Sequence, residues 1–171
     1  MGTLQTPDGP ERIRGALVLE DPDALGNAAL AVVANSPVPC EATAEDDPAT
    51  VRDEEAEALA WWADGIEAAA FREGAVVVMF ALEGFPVEGE TPLGSGFWLA
   101  YRVNESGWED GERVLYDYDA DPRGSGEATI ALAGDEVDID FEVGEWSASV
   151  RAPRCTNAAL TGAFAELYRS L

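Results

Sequence analysis

Along residues 136–143 the chain alternates strictly. Val137, Ile139, Phe141 and Val143 fall on one side, and Glu136, Asp138, Asp140 and Glu142 on the other. A strand sends successive side chains to opposite faces, so this run predicts a strand with one buried and one wet face. That pattern excludes the centre of a parallel α/β sheet, where both faces are covered. Similar signals flank it. Ala128, Ile130 and Leu132 point one way before a turn at Gly134-Asp135, and Trp146, Ala148 and Val150 follow a turn at Gly144-Glu145. Earlier, Phe97, Leu99, Tyr101 and Val103 alternate with Trp98, Ala100, Arg102 and Asn104, and residues 113–118 make a shorter strand. Residues 75–82 are continuously apolar, which suits a central strand, and residues 13–20 read as a strand stopped by Asp21-Pro22. Short links between successive strands predict an antiparallel meander of five to six strands.

Helical spacing appears in three places. Asp23 is suited to cap a short helix through Leu25, Ala28, Ala29, Val32 and Val33. Asp47 and Pro48 suit the cap and first position of a longer helix over 49–72, whose stripe is Leu59, Trp62, Ile66 and Ala70. Residues 157–170 carry Leu160, Phe164 and Leu167 at the same spacing, continued by Leu171. The expected architecture is therefore α+β: a flexible tail at 1–11, then a single domain over 12–171 with helices packed on one face of the sheet. The 83–96 connection, with four glycines and two prolines, reads as the longest loop inside that sheet.

Charge then narrows the function classes. Asp and Glu number 34 against 10 basic residues, all arginine, with no histidine and a formal charge of -24. Such a density repels itself at low ionic strength and is screened at molar salt, where the Debye length falls to about 3 Å. The composition resembles that of haloarchaeal cytoplasmic proteins, so a salt-adapted cytoplasmic protein is expected. At 47% apolar residues a folded core is expected too. Scattered arginines give no phosphate-binding stripe, which argues against nucleic acid. No run approaches 18 apolar residues, which argues against a membrane span.

Without histidine or lysine, Ser/His/Asp, Cys/His and Schiff-base chemistries are excluded. Carboxylate pairs could still act, yet with 34 of them no pair stands out. Asp117, Asp119 and Asp121 begin like a calcium loop, but Pro122 occupies the place of the turn glycine and Glu127 falls one position early. A solvated acidic strand end is the plainer reading, with calcium as the one cofactor the pattern suggests. Cys40 and Cys155 form no C-x-x-C pair; two free thiols are expected, with a bridge between them as the alternative. Trp98 on its strand, Trp108 in an expected hairpin loop at 106–111, and Arg102 beside them are candidate partner contacts. The expectation is a non-catalytic protein acting through protein–protein contact, as an accessory, inhibitory or regulatory subunit or a homo-oligomer. The alternative is a carboxylate-based enzyme or small-ligand-binding domain, its pocket between the sheet and helix 49–72.

Overall fold

A computed structural model describes residues 2–20, 28–38, 74–83, 85, 88–93, 98–109, 112–121 and 126–156. Eleven strands occur among them: β1 (Thr3–Thr6), β2 (Gly9–Arg12), β3 (Gly15–Glu20), β4 (Ala28–Ala34), β5 (Val76–Glu83), β6 (Gly89–Leu93), β7 (Trp98–Glu109), β8 (Glu112–Asp121), β9 (Gly126–Ala133), β10 (Glu136–Val143) and β11 (Trp146–Cys155). No helix occurs among the described residues, so the expected α+β class gives way to an all-β fold. The helices expected over 49–72 and 157–170 lie outside the described residues.

Nine strands run in the order β6-β9-β10-β11-β3-β4-β5-β7-β8, with β1 on the flank of β11 and β2 beside β1. β11 is the hinge of this arrangement. Most of its length pairs antiparallel with β10, from Val143↔Trp146 to Glu136↔Pro153. Its last residues, Arg154 and Cys155, instead run parallel to Val18 and Leu19 of β3. The sheet is therefore mixed, not a pure antiparallel meander.

Two layers result. β6, β9, β10, β11, β1 and β2 form the first, and β3, β4, β5, β7 and β8 the second. Their facing sides share one core that includes Ile130, Ile139, Phe141 and Trp146 from the first layer and Val18, Val33, Val78 and Phe80 from the second. Phe80 and Phe141 meet across it with ring centroids 5.0 Å apart and tilted by 51°. The opposite side of the second layer is buried as well, through Leu17, Leu19, Val32, Val77, Met79, Leu99 and Tyr101. That distinction was written in the patterning. The first layer alternates because one face is wet, whereas β3, β4 and β5 are nearly continuous apolar runs because both faces are covered.

Three expectations are corrected here. The apolar segment assigned to a helix from Asp23 is strand β4, held between β3 (Val18↔Ala31) and β5 (Val32↔Met79). Short apolar runs satisfy either period, and tertiary pairing decides between them. The N-terminal stretch taken as a tail is a hairpin, pairing Thr3 with Arg12 and Thr6 with Gly9, and it buries Leu4 completely. The 83–96 loop contains β6, paired with β9 from Gly89↔Ile130 to Leu93↔Gly126. Pro92 cannot donate to a ladder, and β6 stands at the sheet edge where that is tolerated.

The two turns read from the sequence around β10 are present. Gly134 and Gly144 adopt φ of 72° and 58°, the positive values that tight hairpins demand and that L side chains resist. Asn35 extends the second layer past the end of β4. Its side-chain amide donates to the Gly74 carbonyl at 2.9 Å, and its carbonyl accepts from Val76 N–H at 3.1 Å.

Candidate functional site

The first layer presents one broad strand face to solvent, ordered by the ladder. On β10 the outward side chains are Glu136, Asp138, Asp140 and Glu142. Across β11 they oppose Pro153, Arg151, Ser149 and Ser147, and across β9 they oppose Ala133, Ala131, Thr129 and Glu127. β1 continues the face through Gln5, paired with Ser147. A shallow groove of about 420 Å³ runs over it, lined by residues including Thr3, Gln5, Thr129, Asp140, Glu142 and Ser149. The acidic strand face expected from alternation is thus real, and hydroxyl and amide side chains that the sequence reading did not connect with it complete the surface.

Two polar contacts fix this face. Arg151 Nε and Nη2 donate to the two Asp138 oxygens at 2.6 and 2.8 Å, with Glu136 at 4.0 Å. Those bonds hold the Asp138 carboxyl below the usual carboxylate range and raise Arg151 in turn. Ser149 Oγ donates to Asp140. Both pairs are solvent-exposed, so they set side-chain direction more than stability.

The candidates chosen from sequence do not gather on this face. Arg102 lies on β7 and belongs to an internal clamp. Its Nη2 donates to Glu11 at 2.9 Å, and its Nε stands 3.1 Å from an Asp8 oxygen at an angle that makes no hydrogen bond. The N-terminal hairpin is thereby tied to β7, and the chain's own carboxylates occupy this guanidinium. Trp98 opens β7, paired in register with Phe80, while Trp108 pairs with Arg113. Trp108 is therefore a strand residue and not part of a hairpin loop, since pairing continues to Glu109↔Glu112. Asp117, Asp119 and Asp121 occupy alternate positions of β8, opposite Glu105, Arg102 and Ala100. Extended backbone there differs from the looped path on which the calcium comparison was based. Among the described residues no group of three or more His, Cys, Asp or Glu is placed to hold a metal ion.

A second polar centre lies at the junction of the layers. Arg154 grips Glu20 through Nε and Nη2, with the Nη2 bond at 2.9 Å, and its guanidinium sits 5.5 Å from the Phe85 ring centroid. The bond to Glu20 raises the Arg154 pKa further. Next to it Cys155 is buried and disulfide-bonded, which corrects the expectation of free thiols. The sequence holds one other cysteine, Cys40, outside the described residues. Tyr101 is wholly buried, and loss of solvation lifts its phenol far above the ordinary range.

No protein-family model, curated protein or solved structure matches the chain. No helix among the described residues is long and apolar enough to cross a membrane.

Proposed function

We propose that this protein is a non-catalytic, salt-adapted module that acts through protein–protein contact, and that its working surface is the outer face of the first layer. One observation carries the reading. Both faces of β3, β4 and β5 are buried, whereas Thr3, Gln5, Glu127, Thr129, Asp140 and Glu142 remain exposed on a register-locked face. Side chains held by a ladder form a rigid polar surface, which limits the ordering cost of association. The partner is a protein or a second copy of the chain. Arg102 drops out of the contact role because it is already paired internally.

The test is comparative capture at molar KCl with the intact chain, Thr129→Arg and Gln5→Arg as baits, alongside sedimentation of each. A partner or dimer retained by the wild type and lost by both variants, with unchanged circular dichroism, supports the reading. Equal capture by all three would end it.

The disulfide at Cys155 also favours an oxidising compartment over the cytoplasm that composition suggests. Alkylation of the protein straight from its native cells would leave it unlabelled without reductant. Full labelling would return it to a reducing compartment.

A further inference from the structure

A smaller pocket opens where the N-terminal hairpin, the start of β3 and β11 meet. It encloses about 220 Å³; Ile13, Ala16, Val38 and Val150 supply its apolar lining, and Arg14 and Arg151 its charged groups. No carboxylate lines it among the described residues. In a chain with 34 acidic residues and 10 arginines, two arginines at one small cavity is a departure from the prevailing surface, although Arg151 is already paired with Asp138.

The glycines of the pocket have a structural explanation. A Cβ on Gly15 would stand 2.4 Å from the Ser36 carbonyl oxygen and 2.5 Å from Val38 N, and one on Gly2 would stand 2.8 Å from the Ser149 oxygen. Backbone approach requires them. Arg151 is accounted for by its pairing with Asp138, but Arg14 has no such account. Arg14 is exposed and makes no side-chain hydrogen bond or ion pair among the described residues, although carboxylates abound. Arg151 spends Nε and one Nη2 hydrogen on Asp138, which fixes its plane and leaves three of its five N–H donors available.

We propose that this pocket binds a small organic carboxylate with a short branched apolar body. The carboxylate would lie between the Arg14 and Arg151 guanidiniums, whose planar forks match its two oxygens. The body would rest on Ile13, Val38 and Val150. The volume equals that of about seven waters at ~30 Å³ each, below the roughly 300–1,000 Å³ of sites for drug-sized ligands. A branched acid of five carbons is of that scale. Inorganic phosphate offers the charge but nothing for the apolar lining. The pocket shares Arg151 with the contact face but does not depend on that face having a partner.

Titration of the 15N-labelled full chain with isovalerate in 2 M KCl tests this, with isovaleramide and inorganic phosphate as controls. Saturable shifts at the Gly15, Ala16 and Val150 amides are expected with isovalerate, against a large excess of chloride, and none with isovaleramide. Arg14→Gln should weaken binding at least tenfold while the remaining spectrum stays superimposable, because Arg14 supports no fold contact through its side chain. Equal shifts with isovaleramide would remove the role of the guanidiniums. Equal binding of phosphate would remove the role of the apolar lining, and silence toward isovalerate would overturn the site.

Discussion

The contact between Phe80 and Phe141 exists only if the first and second layers face each other, so a double-mutant cycle on this pair tests the architecture. Both rings are buried, at 0% and 4% exposure, with centroids 5.0 Å apart and a tilt of 51°. Leucine is the appropriate replacement. Truncation of a buried Phe to Ala costs about 3–5 kcal/mol, enough to unfold a marginal domain, whereas Leu keeps most of the volume. Each single change should cost roughly 1–2 kcal/mol by the cost of deleted buried carbon, about 0.8 kcal/mol per methylene equivalent, plus the lost ring contact. A tilted pair at this distance is worth about 0.5–1.5 kcal/mol beyond area. Phe80→Leu combined with Phe141→Leu should therefore be less destabilised than the sum of the singles by about 1 kcal/mol. Urea denaturation in 2 M KCl is the assay, because guanidinium chloride would change ionic strength along the titration. Costs that add to within about 0.3 kcal/mol, the behaviour of sites that do not touch, would refute the two-layer packing.

Other perturbations probe single features. Gly15→Ala places a Cβ against the Ser36 and Val38 backbone, which cannot swing aside, and should destabilise by about 1–3 kcal/mol or more in urea melts. Cys155→Ser, or reduction of the wild type, should lower stability by roughly 2–5 kcal/mol, and a melt insensitive to reductant would count against the bridge. Asp138 has a depressed folded-state pKa, so its contribution is present above the unfolded carboxylate pKa and disappears as pH falls through the folded value. Carboxyl NMR should show Asp138 titrating below the ordinary aspartate range, and Arg151→Gln should move it upward. Lowering KCl from 2 M to 0.1 M should reduce the melting midpoint, as screening of the -24 charge weakens.

The legible part of the fold was the part with one wet face. β10 was bounded residue for residue by its alternation, and the turns at Gly134 and Gly144 followed from glycine's tolerance of positive φ. Where burial is two-sided, the code degenerates. Ala-Ala-Leu-Ala-Val-Val-Ala of β4 satisfies helix and strand alike, and its identity comes from β3 and β5 on either side. The hairpin of β1 and β2 was hidden because Pro7, Asp8 and Gly9 are turn residues that also populate tails, and a single buried apolar residue, Leu4, anchors β1 beside β11. The contact surface was half visible. Alternation exposed the acids of β10, but Thr3, Gln5, Thr129 and Ser149 join them only through register, which no local pattern states. Arg102 drew notice beside two tryptophans, and its true partners, Asp8 and Glu11, lie more than ninety positions away in sequence.

The acidic ladder on β10 raises the question of where salt sensitivity resides. Neighbouring outward carboxylates along one strand are two residues apart, about 6.7 Å, and at that distance two unit charges in water repel by about 0.6 kcal/mol before screening. A Debye length of roughly 10 Å at 0.1 M leaves about half of this, and one of about 3 Å at 1 M leaves about a tenth. Across the strands the register already disperses charge: Asp138 faces Arg151 and Ala131, Asp140 faces Ser149 and Thr129, and Glu142 alone faces another acid, Glu127. Three contacts along β10 and one across it therefore contribute only about 1 kcal/mol at 0.1 M. Any dependence of the fold on concentrated salt would then come from the summed field of all 34 carboxylates and not from this conspicuous stripe. Neutralising Glu142 to Gln removes the one like-charged opposition across β10, yet it should leave most of any salt dependence of the melting midpoint in place, and that separation distinguishes a local ladder from a global charge effect.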